Sequence, residues 1–332
     1  MNTQAKITGA DVARVAGVSR ATVSYVLNAT PGQSIPEETR RKVKAAAEQL
    51  GYVPHMAGRT LRRGRSDLIV WILPDWPIGS AVGESIELLT REASSRGFTL
   101  AMLNEGNDHN RLEATLRTLA PAAVVSMHRL PDSIHRFAKA SGVTIVSMMG
   151  RRTDPETGVD ILQASISVGD MQVRYLAERG HSRIGYLYPD DVRVKEFAIG
   201  RYKGAREAAK ALDLPAIRKR TMPLQRERLG ELAVEWREQG ITAVCAYNDE
   251  WAMALLSGMR MFGLEAPHHL AVIGCDNVLT AAVASPPLTS IDLNLLAYSF
   301  NMMNDVERAL GIEPSTPDDP AAFETIVARE SA

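Results

Sequence analysis

The chain has 332 residues, 45% hydrophobic and 23% charged, the composition of an ordinary globular protein and too long for one small domain. Its net charge of −1 hides an asymmetry: residues 1–66 carry 11 Lys/Arg against 4 Asp/Glu, net +7, and residues 67–332 carry 27 against 35, net −8. No N-terminal stretch reads as a signal peptide and no apolar run is long enough to span a bilayer, so a cytoplasmic protein with no membrane partner is expected.

In chain order, "TGADVARVAG" sets Asp11 three residues after Thr8, the spacing of a capping box with Asp in place of Glu. Val12, Val15 and Ala16 form the apolar stripe of this first helix, and Gly17 ends it. Ser19 then caps "RATVSYVLN", where Val23, Val26 and Leu27 make a thin buried stripe. The opposite face carries Ala21, Tyr25 and Asn28, flanked by Arg20 and Ser24. Two short helices joined at a tight glycine turn make a helix-turn-helix. A third helix follows in "IPEETRRKVKAAAEQLGY", with Pro36, Glu37 and Glu38 in its first turn and Gly51 past its end. Ala13, Val23, Val26, Leu27, Val43, Ala46 and Leu50 are the expected core of this small unit.

A basic head on an acidic body suits a polyanion, although a solvated basic face is the plainer reading of charge alone. In a helix-turn-helix the second helix enters the major groove with its N-terminal residues first. Arg20 is then placed to donate to guanine, Tyr25 to offer a ring edge and a hydroxyl, and Ala21 to meet a thymine methyl. Thr22, Ser24 and Asn28 suit phosphate contacts, and Thr8 and Ser19, which open the two helices, join the same surface. "PHMAGRTLRRGRS", with Arg59, Arg62, Arg63 and Arg65, is too short to hold a helix alone. It is a linker, or a helix only with DNA or a partner chain.

"DVARVAGVSRATVSYVLN" followed by "IPEETRRKVKAAAEQLGYVPHMAGRTLRRGRS" resembles the head and hinge of the LacI/GalR transcription regulators, densely over residues 7–66 and more loosely to the C-terminus. The resemblance implies a DNA-binding domain over 1–54, a hinge over 55–66 and an effector-binding, dimerising body over 67–332. It implies paired hinge helices on the operator, with Ala57 and Arg59 contacting DNA and Leu61 wedged into the minor groove. Taken alone, Leu61 is a linker residue packed on the body. Two departures stand out. Tyr25 occupies a position where the family often has Arg. Gly58-Arg59 replaces a frequent Ala-Arg, and Gly costs up to about 1 kcal/mol in a helix, leaving this hinge more dependent on DNA and the dimer partner.

In the body, apolar runs ("LIVWIL", "FTLAML", "AAVVSM", "VTIVSM", "RIGYLY", "AVCAYN", "LAVIGC") alternate with helical patterns such as "GESIELLTREASSRG" and "NDEWAMALLSGMRMFG". This is an α/β pattern of mostly parallel, doubly wound sheets, and its length suits two sheets with a cleft between them. Cys245 and Cys275 lie in apolar runs and are expected as buried free thiols. There is no G-x-G-x-x-G after a strand, no P-loop, no metal-ligand spacing and no nucleophile elbow, so no cofactor, metal or catalytic residue is assigned.

The resemblance implies two Rossmann-like subdomains like those of periplasmic sugar-binding proteins, about 67–161 plus 294–318, and 162–293 plus 319–332 with the tail strand "FETIVARE". Arg201 of "GRYKG", the pair Asn248-Asp249 and Asp276 match the family's ligand contacts. Each has a local alternative: Asp249 as a helix cap, Arg201 in a surface salt bridge, Asp276 in a turn. The departures are larger here. "PDWPIGSAVGES" has small residues where an aromatic wall is common, leaving Trp76 as a stacking platform or as packing. Met149 stands where an acid is frequent, and Ala164-Ser165 replaces an Asp-Asn pair, with His128 and Arg151 as substitutes near strand ends. The implied function is a homodimer, or a tetramer built from it, on a pseudo-palindromic duplex operator. It represses transcription under control of a sugar or related metabolite. The alternative is a doubly wound sugar- or nucleotide-processing enzyme with a basic N-terminal extension, for which no nucleophile–base constellation is present.

Overall fold

The computed structural model describes residues 7–27, 33–52, 66–106, 108–126, 128, 130–147, 161–314, 316–318 and 324–332. The chain divides after Asp67 into two compact units.

The first unit is built from α1 (Gly9–Ala16), α2 (Arg20–Leu27) and α3 (Glu37–Leu50). The Thr8 amide and hydroxyl both donate to Asp11 Oδ2, at 3.0 and 2.8 Å. The hydroxyl, then the amide, and beside them Arg14, hold this carboxyl down at about 2. Gly17 stops α1 at φ 66°, a left-handed conformation costly for residues with a Cβ. The Thr22 amide donates to Ser19 Oγ at 3.0 Å, the cap expected for α2. Val12, Ala13, Val23, Val26, Val43, Ala46 and Ala47 form the core, with Leu27 and Leu50 packed at its edge. Val15, expected in the buried stripe, is 46% exposed. Val12 and Ala13 both turn inward, and the 100° step per residue then swings Val15 to the rim.

The second unit holds two parallel four-stranded sheets. The first contains β1 (Leu68–Leu73), β2 (Thr99–Asn104), β3 (Ala123–Ser126) and β4 (Thr144–Ser147) in the order β2-β1-β3-β4. The second contains β5 (Ile184–Pro189), β6 (Arg218–Met222), β7 (Ala243–Ala246) and β8 (Ala271–Ile273) in the order β6-β5-β7-β8. The connecting helices are α4 (Ser80–Ser95), α5 (His109–Leu119), α6 (Asp132–Ser141), α7 (Ile161–Glu178), α8 (Lys195–Ala211), α9 (Arg226–Glu238) and α10 (Asp249–Met261). Central strands β3 and β7 are buried along their whole length, as strands covered by helices on both faces must be.

Strand β6 was not expected from the sequence. Arg218, Lys219, Arg220 and Thr221 are all exposed, because the strand is a sheet edge whose charges discourage pairing with other chains. A short strand, β9 (Ser290–Asp292), pairs antiparallel with β10 (Thr325–Val327) inside the expected tail strand. Between them α11 (Leu295–Ala309) returns to the first sheet, where Met302, Met303 and Val306 join the core around Ile69, Trp71 and Leu89. Arg96, at the end of α4, locks that return by donating to Asn304 Oδ1 (2.6 Å) and Glu307 Oε2 (2.8 Å). The C-terminus belongs to the second sheet, with Ser331 Oγ donating to the Val272 carbonyl at 2.6 Å.

Helices α7 and α8 cross at glycine. A Cβ on Gly169 would lie 1.8 Å from the Arg201 carbonyl oxygen, and one on Gly204 would lie 1.9 Å from that of Ile166. No other side chain permits this approach, which fixes where Arg201 enters the body. Both cysteines are buried and free.

Candidate functional site

On the head, α2 buries Val23 and Val26 and leaves Arg20 and Ala21 exposed, with Thr22, Ser24 and Tyr25 half-exposed. Ser19 and Thr8 are exposed as well, but their hydroxyls are engaged, Ser19 Oγ with Thr22 Oγ1 at 2.9 Å and Thr8 Oγ1 with Asp11. The N-terminal turn of α2 thus offers one long cation and one methyl on a surface fixed from behind by the core. Asn28, Ala57, Arg59 and Leu61 lie outside the described residues.

In the body, ends of strands from both sheets and the starts of α4, α8 and α10 enclose a cavity of about 130 Å³. Trp71, Trp76 and Ser80 line it from the first sheet's side, and Phe197, Arg201, Tyr247, Asn248, Trp251 and Asp276 from the second's. Three of the effector candidates named from the sequence, Arg201, Asn248 and Asp276, meet here, and Trp76 faces them.

Arg201 is 6% exposed. One of its amino groups donates to the Tyr247 carbonyl at 2.6 Å and the other to Asp276 Oδ1 at 3.1 Å. The guanidinium carbon lies 4.9 Å from the centre of the Tyr247 ring. Asp276 follows β8 with φ 101°, a backbone conformation that costs a non-glycine residue about 1–3 kcal/mol. Asn248 caps α10, accepting the Trp251 amide at 3.2 Å. Gln172 reaches from α7 to hold both supporting strand ends, donating to the carbonyls of Ala246 (2.9 Å) and Gly274 (3.0 Å).

Asp249 is placed differently. It is fully buried outside the cavity lining, and its two oxygens accept from Ser290 Oγ (2.6 Å) and the Val278 amide (2.9 Å). The cap that the sequence allowed for Asp249 is made by its neighbour Asn248. Burial pushes the Asp249 carboxyl up to about 7. It ties the loop after β8 to β9 and does not face the cavity.

His128 also stands behind the lining. Its ring packs edge-on against Trp76 at 6.3 Å, and its Nε2 pairs with Glu105. Ser126, His128 and Glu105 have the partners of a nucleophile–base–acid relay, with Ser126 Oγ 3.0 Å from His128 Nδ1. However, Ser126 is 2% exposed and its hydroxyl bonds the His128 carbonyl and amide, so the trio closes a turn. Met149 and Arg151 lie outside the described residues.

Sequence reasoning missed Trp71, Phe197, Tyr247 and Trp251. The small residues of "GSAVG" do leave one wall bare, and these four rings, drawn from separate elements, replace it. Trp76 and Phe197 meet with ring centres 4.7 Å apart, closing the cavity from opposite sides.

Residues 8–55 match the family described as bacterial regulatory proteins, lacI family, and residues 173–332 match the periplasmic binding protein-like domain. The HTH-type transcriptional repressor PurR of Pectobacterium carotovorum is 30% identical over 290 residues, covering 85% of this chain and 84% of that protein. PurR of Vibrio atlanticus is 29% identical over 294 residues, covering 85% of each. Among solved structures, a LacI-family regulator from Silicibacter pomeroyi superposes with a TM-score of 0.76 at 19% identity, covering 98% of this chain and 99% of that one. The transcriptional regulator CelR in complex with cellobiose gives a TM-score of 0.59 at 25% identity, covering 98% and 100%.

Proposed function

This chain belongs to the lacI family of bacterial regulatory proteins, and we propose from that premise how its two units act. It is a DNA-binding transcriptional regulator of the repressor type, modulated by a small-molecule effector. The observation that carries the DNA reading is α2, capped by Ser19 and presenting Arg20 and Ala21 on its exposed first turn. Arg20 donates to a guanine edge, Ala21 meets a thymine methyl and Tyr25 reads the neighbouring pair. The hydroxyls of Thr22 and Ser24 lie on phosphates. Two copies pair so that two heads meet two half-sites of a pseudo-palindrome.

The effector lies in the aromatic cavity, in contact with Arg201, Asp276 and Asn248. Trp76 belongs to the wall, whereas Asp249 and His128 support it from behind. Regulation is linkage. The cavity is shared by two sheets, so a ligand that fits one arrangement of them better than another shifts the population of that arrangement, and operator affinity with it. No catalytic role is proposed: the relatives are repressors, and the one serine–histidine–carboxylate trio noted above is buried in a turn.

The test is selection of bound fragments from genomic DNA at physiological salt, followed by a metabolite screen for changes in affinity. A recurrent, two-fold-related sequence is expected, as is a metabolite whose effect disappears in Arg201→Ala. Equal affinity for all fragments contradicts the DNA reading, and an effect that survives Arg201→Ala contradicts the cavity.

A further inference from the structure

We propose that residues 74–79, which join β1 to α4, are a strap that fastens the first sheet to the second across the cavity, with Glu250 of α10 as its catch. Both seats of the strap are residues of the chain itself, so this closure needs no effector and does not depend on which molecule fills the cavity.

The strap is stiff. Its sequence is "PDWPIG", in which Pro74 and Pro77 each fix φ. The Trp76 amide donates to the Pro74 carbonyl at 2.7 Å and the Gly79 amide to that of Pro77 at 2.9 Å, two tight turns in succession. What holds either end of such a segment therefore holds the whole of it.

The second sheet's side supplies a seat for each end. Trp76 rests on Phe197 of α8, with ring centres 4.7 Å apart and planes inclined by 57°. At the other end Gly79 opens α4 with no side-chain cap and no acid in the first turn. The amides of Ser80, Ala81 and Val82 have no acceptor among the described residues. The N-terminus of α4 thus carries partial positive charge that nothing in α4 offsets. Glu250 reaches it from the opposite side of the cavity. A Cβ on Gly79 would lie 3.0 Å from Glu250 Oε1 and 3.8 Å from its Cδ, so an oxygen leads the approach, and glycine leaves it room. Glu250 also stands in the first turn of α10. Its carboxylate is therefore beside two helix N-termini, one from each side of the cavity, and is attracted to both. Charge adds a weaker link: the Arg193 guanidinium, held charged first by Asp191, is raised further by Asp75 of the strap. Glu250 in this way sets the population of the closed arrangement before any molecule reaches the cavity.

Tryptophan fluorescence reads the strap directly. Of the four tryptophans, Trp71, Trp236 and Trp251 are buried, and Trp76 is the one partly exposed. Acrylamide quenching of the full-length protein, with no ligand added, is measured for the unsubstituted chain, Glu250→Gln and Gly79→Ala. Parallel measurements on Trp76→Phe versions isolate the Trp76 contribution. Glu250→Gln keeps the volume and removes the charge, and Gly79→Ala puts a methyl group against Oε1. Each is expected to raise the Trp76 quenching constant by about 2- to 5-fold, the change in closed-to-open ratio that follows loss of a charge from a helix N-terminus. Should Glu250→Gln lose its far-ultraviolet circular dichroism, Gly79→Ala decides in its place. Equal quenching in all three proteins overturns the strap. An increase in Gly79→Ala alone, with Glu250→Gln folded, overturns Glu250 as the catch. Operator affinity measured on the same variants separates this proposal from the regulatory reading: a strap that opens while operator affinity stays unchanged counts against the linkage and leaves the strap standing.

Discussion

Arg20 and Asp249 illustrate two ways in which a single residue is committed by its surroundings. Arg20 stands exposed on the first turn of a helix whose other face is buried, so its charge is presented outward. Arg20→Ala is expected to cost about 1–3 kcal/mol on the selected operator and to relax preference at one base pair. Binding isotherms on operators varied at each position check this, and a uniform loss at every position would make Arg20 a phosphate contact. Asp249 is committed inward. Its carboxyl titrates near 4 in the unfolded chain and at about 7 in the fold, so the native state binds the extra proton between those values. Its contribution to stability is therefore full below about pH 4 and is lost as the pH rises to about 7. In Asp249→Asn the amide can donate to Ser290 and accept from Val278, and that part of the pH dependence is expected to vanish. Urea midpoints of both proteins from pH 5 to pH 8 test it, and parallel curves would show that Asp249 is not the group responsible.

Elements are positioned by features of very different legibility. The head's helices were readable because their ends are local chemistry: Thr8 with Asp11, Gly17, and Ser19 with Thr22 act within three or four residues. The parallel strands were readable as apolar runs. Strand β6 was not, because an edge strand made of Arg218, Lys219 and Arg220 carries no apolar signal. Trp71 was hidden for the opposite reason: inside "LIVWIL" it is indistinguishable from core, which it is, and only the packing of two sheets shows that it also lies beside a cavity. Phe197 and Tyr247 become one wall only through the fold. The α7–α8 crossing is of the same kind, since Gly169 and Gly204 are ordinary helix glycines until the helices meet. Gly204→Ala is expected to destabilise the body by about 1–3 kcal/mol or more, because the clash is with backbone and cannot be relieved by a rotamer change. The same substitution should weaken the effector found in a metabolite screen, because Gly204 lies three residues from Arg201 on α8 and its clash with the Ile166 backbone shifts that helix. Denaturation and ligand titration of this variant check both effects, and unchanged values in both would show that the crossing relaxes freely.

For the whole molecule, charge and cavity divide the work. The basic head supplies attraction to DNA of any sequence, and that attraction is released with counterions. If six to ten phosphates are contacted, affinity should fall about 10³- to 10⁵-fold between about 50 and 200 mM salt. A titration of operator binding against salt reads this slope, and a flat line would rule out phosphate contacts as its source. Selectivity and control are separate demands: in the function proposed here the first falls to base reading by α2, and the second to a cavity ligand that prefers one arrangement of the two sheets. The central claim, sequence-specific DNA binding by the full chain, is tested most directly by competition at physiological salt between a selected operator and a scrambled duplex of the same composition. A preference of about 10³-fold or more for the operator is predicted, and indistinguishable affinities for the two duplexes would contradict it.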